Sequence, residues 1–250
     1  MPLDDARVGF FDAYPRFQET SQTGPHLNRL NKRHQAIFET LPGLVKGLRV
    51  LDIASHDGRW SFAALKAGAA SVVGVEPREH LVAHANETLA HYGCPPESYR
   101  FEQADIFDYL QASAEPFDAV LCLGFFYHTY RHPELMAQIS RRRPRVLVID
   151  SAVLPEPGPR CEVRLDRADQ EYDAAQELST WKGLTFAALP TADLLKMFID
   201  HYGFSWVAAD WRAIIDADGN REMVEPYDRG SRITLICHRR PEVSDGADAR

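Results

Sequence analysis

The chain has 250 residues, of which 28 are Lys or Arg and 36 are Asp or Glu, giving a net charge of −8 with neutral histidines. Hydrophobic residues at 45%, charged residues at 26% and aromatics at 10% exclude a disordered, collagenous or simple coiled-coil chain, and suit one elaborated α/β domain or at most two small domains. A pI near 5.7 argues against non-specific nucleic-acid binding; no apolar run reaches the about 18 residues of a membrane span, and MPLDDARVGF lacks a basic-then-apolar leader, so a soluble, cytoplasmic chain is expected.

Residues 1–47 precede the first regular strand and are read as an N-terminal helical cap, with Phe10-Phe11-Asp-Ala-Tyr14 and a basic run ending Asn31-Lys-Arg-His34. From residue 48, short β-branched runs alternate with helix-like segments, the sequence form of a parallel sheet covered on both faces. Strands are predicted over 48–53, 71–75, 99–104, 117–123 and 145–150. A helix over 59–67 follows the first, with Asp57 able to cap its first turn and Gly68 its last. Leu81, Ala85 and Leu89 share one stripe of a helix over 79–91, and Pro133 suits the first turn of a helix reaching Arg141.

Residues 151–190 carry Pro155, Pro157, Pro159 and Pro190 in mixed polar sequence, which fits an insertion over the sheet edge better than another regular βα unit. A helix over 192–201, stopped by Gly203, leads to strands over 204–208 and 231–238. The turn-rich link 216–220 between these strands lets them pair antiparallel. The main domain therefore spans 48–240, and the tail 241–250 is expected to be disordered. The cap and the insertion together are expected to roof a pocket at the strand C-termini, where open α/β sheets bind ligands.

Cys94, Cys122, Cys161 and Cys237 form no CxxC pair and are expected to be buried, inert thiols. With no HxxxH, HExxH or calcium-loop spacing, no metal site is expected. His26 and His34 read as parts of a solvated helix face. The run Arg141-Arg-Arg-Pro-Arg145 falls at a helix end and strand entry, opposite the pocket, and reads as solvated cations at a helix C-terminus. Trp181-Lys182-Gly183 is weighed as a grip on an acceptor and read as plain surface.

The informative constellation is acidic. Asp52 lies within the first strand, Glu76 ends the second and Asp105 follows the third. A carboxylate at the second strand end can accept both hydroxyls of a ribose, and one after the third can accept from the exocyclic amine of adenine. The turn ending in Gly58 exposes backbone N–H groups to a close ligand.

These residues resemble the class I S-adenosylmethionine-dependent methyltransferases. The likeness rests on Val50-Leu-Asp-Ile-Ala-Ser-His-Asp-Gly58, Val73-Gly-Val-Glu76, Ala104-Asp-Ile106 and Phe117-Asp-Ala-Val-Leu-Cys-Leu123, four motifs in order within residues 48–150. The resemblance implies a Rossmann-like α/β fold of seven strands, the last antiparallel and inserted between the fifth and sixth, with S-adenosylmethionine as cofactor and S-adenosylhomocysteine as product. It places Asp52, Ala54, Ser55, His56 and Gly58 near the methionine part of the cofactor, Glu76 on the ribose, and Asp105 with Ile106 around the adenine, beside Leu123. The family motif commonly reads D-x-G-x-G-x-G, whereas Ala54 and His56 replace the first two glycines here. Ala54 is expected to be mild, in an allowed backbone region, and His56 to line the pocket.

His128, directly after the fourth strand, is the candidate general base, since a neutral imidazole suits proton removal near neutral pH. Tyr127 can orient the acceptor or shield a sulfonium. The Tyr127-His128 pair is also similar to relatives that modify the wobble uridine of tRNA, carboxymethylating enzymes included. Methyl transfer to the oxygen of a small-molecule acceptor is the first expectation, a tRNA-modifying transferase the second and a non-catalytic cofactor-binding subunit the third. A nicotinamide dehydrogenase is disfavoured because the first turn lacks G-x-G-x-x-G and Arg131, not lysine, stands four residues after Tyr127. The oligomeric state stays open, a homodimer among the options.

Overall fold

The computed structural model describes residues 9–20, 26–168 and 180–241. Two short 3-10 turns, Phe10–Ala13 and Pro15–Gln18, precede helix α1 (Leu27–His34), which continues as a π-helical turn, Gln35–Glu39. The sheet then begins with β1 (Arg49–Ile53), α2 (Arg59–Lys66), β2 (Ser71–Val75), α3 (Glu79–His91) and β3 (Tyr99–Glu102). It continues through α4 (Ile106–Ala112), β4 (Ala119–Leu123), α5 (His132–Arg141) and β5 (Val146–Ala152). The insertion supplies β6 (Cys161–Arg167) and β7 (Leu184–Pro190); α6 (Ala192–His201), β8 (Phe204–Ala208), α7 (Trp211–Asp216), α8 (Glu225–Asp228) and β9 (Arg232–Arg239) follow.

Seven strands form one sheet in the order β3-β2-β1-β4-β5-β9-β8. The first five pair parallel, and β9 runs antiparallel to both β5 and β8. This is the predicted topology, with the seventh strand of the sheet inserted beside the fifth. The central strands are buried on both faces, which is why β4 reads as a continuous apolar run with five buried residues. One core cluster includes Leu51, Val75, Phe107, Leu135 and Ile199; another includes Phe11, Phe17, Val50, Phe62 and Leu121.

Helix ends follow local chemistry. Asp105 caps α4 by accepting from the Phe107 and Asp108 N–H groups at 2.8 and 3.3 Å. Thr191 does the same for α6 and Asp210 for α7. Gly68, at φ +94°, ends the turn after α2 in the left-handed region.

The structure corrects several expectations. The basic run of the cap is not solvated: Lys32, Arg33 and His34 are buried. His34 stacks on Phe10 at 3.9 Å and its Nδ1 lies 2.9 Å from Glu39, while Lys32 reaches Asp218 at 2.6 Å and the Ile214 carbonyl at 3.1 Å. These groups tolerate burial because each finds a partner. The insertion holds an antiparallel β-hairpin pairing β6 with β7, and the link before β9 contains α7 and α8. Cys161 is exposed at the start of β6, whereas the other three cysteines are buried. Arg142 is half-buried, donating to the Leu110 and Ser113 carbonyls at the end of α4, while Arg141, Arg143 and Arg145 are exposed. Residues 242–250, where a disordered tail is expected, lie outside the described residues. Among the described residues no helix is long and apolar enough to cross a membrane.

Candidate active site

The turn from β1 into α2 carries three alternate residues in the left-handed region: Ala54 at φ +52°, His56 at +55° and Gly58 at +76°. Ala54 is thus not in an ordinary allowed region, as its replacement of glycine suggested, but keeps the backbone geometry that glycine would supply. Ser55 lies under the turn. Its N–H donates to the Val75 carbonyl at 3.0 Å, its own carbonyl accepts from the Gly58 N–H at 2.9 Å, and its Oγ is buried with no hydrogen-bond partner. A Cβ on Gly74 would stand 2.5 Å from the Phe101 ring and 2.7 Å from Ser55 Oγ, so glycine on β2 lets the turn settle onto the sheet.

Three carboxylates share this corner. Asp52 is fully enclosed and accepts from Ser61 Oγ at 2.7 Å. Burial pushes its carboxyl up to about 7, against the Ser61 bonds, with the charges of Asp57 and Glu76 adding to the rise. Burial also works to raise Asp57, but Arg59, at 2.7 and 2.5 Å, and His56 outweigh it and hold that carboxyl well below the usual range. Asp57 also accepts from the Arg59 N–H, the first of α2, at 3.2 Å, while Gly58 and not Asp57 stands at the N-cap position. Glu76, only 1% exposed, accepts from the His56 N–H at 3.1 Å through Oε2 and from the Arg78 N–H at 3.2 Å through Oε1, and Arg78 Nε lies 3.0 Å away.

The end of β2 is tied to β3 by Glu76 N–H donating to Glu102 and Ala104 N–H donating to Glu76, at 3.0 and 3.3 Å. Asp105 therefore stands beside Glu76, using only Oδ1 as helix cap. Burial raises its carboxyl, opposed by those two backbone bonds. Ile106 is buried in the core under α4. These residues fit an adenosyl ligand: adjacent strand ends carry two carboxylates that retain acceptor capacity, behind a turn with glycine-like backbone. His56 departs from the motif, its imidazole Nδ1 lying 3.7 Å from Asp57.

Tyr127 and His128 occupy a 3-10 turn, Phe126–His128, after β4, their rings 4.2 Å apart. His128 Nδ1 lies 3.6 Å from Asp166 on β6, which also pairs with Arg164 at 3.0 Å. Burial lowers the His128 imidazole below its ordinary value and keeps it neutral, although Asp166 pulls the other way. No hydrogen bond among the described residues links His128 to Glu76 or Asp105; the former belongs to the end of β4, the latter two to the ends of β2 and β3.

Sequence reasoning missed the charged group beside this turn. Asp150, fully buried two residues before the end of β5, accepts from Arg33 at 3.1 Å, Arg232 at 2.8 Å, Tyr227 at 2.9 Å and Thr234 at 2.6 Å. Burial alone would raise its carboxyl, yet Arg232 and Arg33 hold it well below the usual range. Arg33 also donates to the Leu123 carbonyl at 3.3 Å, and Arg232 reaches the Tyr127 hydroxyl at 3.4 Å. The available signal was the one that marked Glu76, an acid closing a buried strand. Trp181, 74% exposed, begins a tight turn with Lys182 and Gly183 at positive φ.

The sheet order, the acidic strand ends and the turn after β1 together have the form of the class I S-adenosylmethionine-dependent methyltransferase fold, a class whose cofactor is S-adenosylmethionine. Residues 50–146 match the family model described as a methyltransferase domain. The N-terminal domain of EvdMO1 with S-adenosylhomocysteine bound superposes with a TM-score of 0.60 at 18% identity, covering 88% of this chain and 85% of that one. Magnesium protoporphyrin IX methyltransferase (ChlM) from Synechocystis PCC 6803 with bound S-adenosylmethionine gives 0.54 at 16% identity, covering 95% and 87%. Among curated proteins, a tRNA U34 carboxymethyltransferase of Pseudomonas fluorescens (strain SBW25) is 34% identical over 84 residues, 34% of this chain and 26% of that protein. Its counterpart in strain Pf-5 is 29% identical over 136 residues, 51% of this chain and 37% of that protein. The matched stretches thus span well under half the length of these curated relatives.

Proposed function

We propose that this chain transfers a methyl group from S-adenosylmethionine to the oxygen of a small-molecule acceptor, with His128 as general base. Asp52, Ala54, Ser55, His56, Gly58, Glu76, Asp105, Ile106 and Leu123 form the cofactor side of the crevice in this reading, and Tyr127 orients the acceptor. The observation that carries the base assignment is the neutral, largely enclosed His128 imidazole, with Nδ1 3.6 Å from the Asp166 carboxylate beside the end of β4. The cofactor supplies a methyl carbon already activated by a sulfonium. The chain's task is therefore to align the acceptor and exclude water. With the cofactor bound, His128 would take the hydroxyl proton as the acceptor oxygen forms its bond to the methyl carbon and the carbon–sulfur pair leaves with sulfur. Asp166 then stabilises the imidazolium, as a carboxylate beside a catalytic histidine does.

Calorimetry with S-adenosylmethionine, S-adenosylhomocysteine and NAD tests the cofactor half. The native chain should bind the two adenosyl ligands and not NAD, and Glu76→Ala should weaken adenosyl binding about tenfold to a hundredfold, the worth of bonds to a charged acceptor. Equal binding by the variant would remove Glu76 from the site. For the catalytic half, labelled methyl transfer into a pool of hydroxylated small molecules should fall about a hundredfold or more in His128→Ala, with cofactor affinity nearly intact. An unchanged rate would remove the base.

A second reading, a tRNA-modifying carboxymethyl or methyl transferase, is favoured by the similarity to tRNA U34 carboxymethyltransferases and by Tyr127-His128. The net charge of −8 weighs against it. A salt-sensitive affinity for tRNA would select it, and its absence would dismiss it.

A further inference from the structure

The arginines around Asp150 outnumber the carboxylates that can neutralise them. Asp150 is saturated: Oδ1 takes Arg33 and Arg232, and Oδ2 takes Tyr227 and Thr234. Arg33 lies with its guanidinium 4.7 Å from the centre of the Trp60 ring, its side chain 7% exposed and its Nε buried with no hydrogen-bond partner. Arg29, one helical turn earlier on the same face of α1, has a buried Nε that is also without a partner. Among the described residues no carboxylate lies within ion-pair distance of Arg29, and burial together with the charges of Arg232 and Arg33 lowers its guanidinium's pKa. Asp166, an acid on the insertion, is already engaged by Arg164 and His128.

Three guanidinium groups therefore face one buried carboxylate, an excess of two positive charges beside Tyr127. Buried positive charge in excess of its counter-charge costs several kcal/mol; Arg29, half-buried, and Arg33, whose one carboxylate is shared with Arg232, stand on one helix face and together offer a site for an anion from outside. The location is specific. Arg33 contacts the last carbonyl of β4, and Arg232 joins Asp150 to the Tyr127 hydroxyl, next to His128. We infer that Arg29 and Arg33, backed by Arg232, form the subsite for an oxyanionic group of the methyl acceptor, a carboxylate or a phosphate. The anion would dock against the arginines while the nucleophilic oxygen meets His128. This assignment rests on the methyl-transfer reading for the word acceptor, though the anion site itself stands on charge and geometry.

The test is calorimetric titration of the full chain, with and without S-adenosylhomocysteine, using benzoate, phenyl phosphate and the neutral benzamide. One oxyanion should bind about tenfold or more tighter than benzamide, and the tighter of the two identifies the acceptor's group. Arg29→Gln should weaken that binding about tenfold, with Arg29→Lys recovering part of it, while S-adenosylhomocysteine affinity in both variants reports an intact fold. Equal binding of all three probes, or an oxyanion affinity that Arg29→Gln leaves unchanged, would overturn the inference. Failure of S-adenosylhomocysteine to bind the native chain, with Arg29-dependent benzoate binding retained, would instead defeat the methyl-transfer reading and leave the oxyanion site standing.

Discussion

Removing the charge of Asp150 while keeping its shape, as Asp150→Asn, leaves Arg33 and Arg232 facing each other with side chains only 7% and 6% exposed. Breaking a buried ion pair from one side costs about 3–5 kcal/mol, because the surviving charges stay dehydrated without compensation. Against the roughly 5–15 kcal/mol that holds a domain together, that loss is large but survivable. Urea unfolding followed by circular dichroism should show a lower midpoint at an unchanged slope. The diagnostic step is to remove one orphaned charge as well. Asp150→Asn with Arg33→Met should be about 1–3 kcal/mol more stable than Asp150→Asn alone, since the amide oxygen left by the first substitution still accepts from Arg232 and methionine fills apolar space over Trp60. Asp150 should also contribute to acid unfolding. Its folded pKa lies below the unfolded carboxylate value, so its stabilisation is present above about pH 4 and is lost as pH falls. Asp150→Asn should lack that component. A single variant within about 1 kcal/mol of the parent, or a double variant with two simply additive losses, would refute the account of a buried pair governed by charge.

Ala54 sits at φ +52°, where an L-residue costs roughly 1–2 kcal/mol; glycine relieves this at roughly 0.5–1 kcal/mol of added unfolded-state freedom. Ala54→Gly should therefore be slightly more stable and Ala54→Val clearly less so by urea titration; a Gly variant weaker than Ala would show that the turn is unstrained. His132, 3% exposed, donates from Nε2 to the Phe126 carbonyl at 2.8 Å and stacks on the Phe126 ring. Burial lowers its imidazole from 6.5 to about 4, so the unfolded chain takes up the proton first. Its contribution is whole above pH 6.5 and declines by roughly 3 kcal/mol as pH falls to 4. His132→Gln should flatten stability against pH in that window, and an unchanged slope would assign the acid sensitivity elsewhere.

What the sequence reveals and what it conceals divide along contact distance. The five parallel strands and the helices α2, α3 and α5 between them are legible because each depends on a local apolar period and nearby turn residues, as in Leu81, Ala85 and Leu89 on α3, whereas the short α4 is not. Glu76 and Asp105 are legible because an acid at the end of a buried strand is a local anomaly. The burial of Arg33 is not legible: its partner lies 117 residues away, and Arg232 reaches the same carboxylate from 82 residues away. Taken by themselves, Lys32, Arg33 and His34 look like a wetted helix surface. The hairpin of β6 and β7 is hidden by prolines and mixed polarity, since its two strands pair across a long connection. The left-handed backbone of Ala54 and His56 is likewise invisible to composition, which records only that glycine is missing.

The knot at Asp150 draws on the beginning, the middle and the end of the polypeptide. A ribosome finishes residues 50–146, and with them the strand ends that carry Glu76 and Asp105, long before it adds Arg232. Synthesis from the N-terminus thus creates an interval in which the strand ends carrying Glu76 and Asp105 are complete while Asp150 still lacks Arg232. Chains released early by truncation before β9 would keep Glu76 and Asp105 but leave Asp150 with Arg33 as its one remaining cation among the described residues, making the two sets of residues separable by length rather than by point substitution.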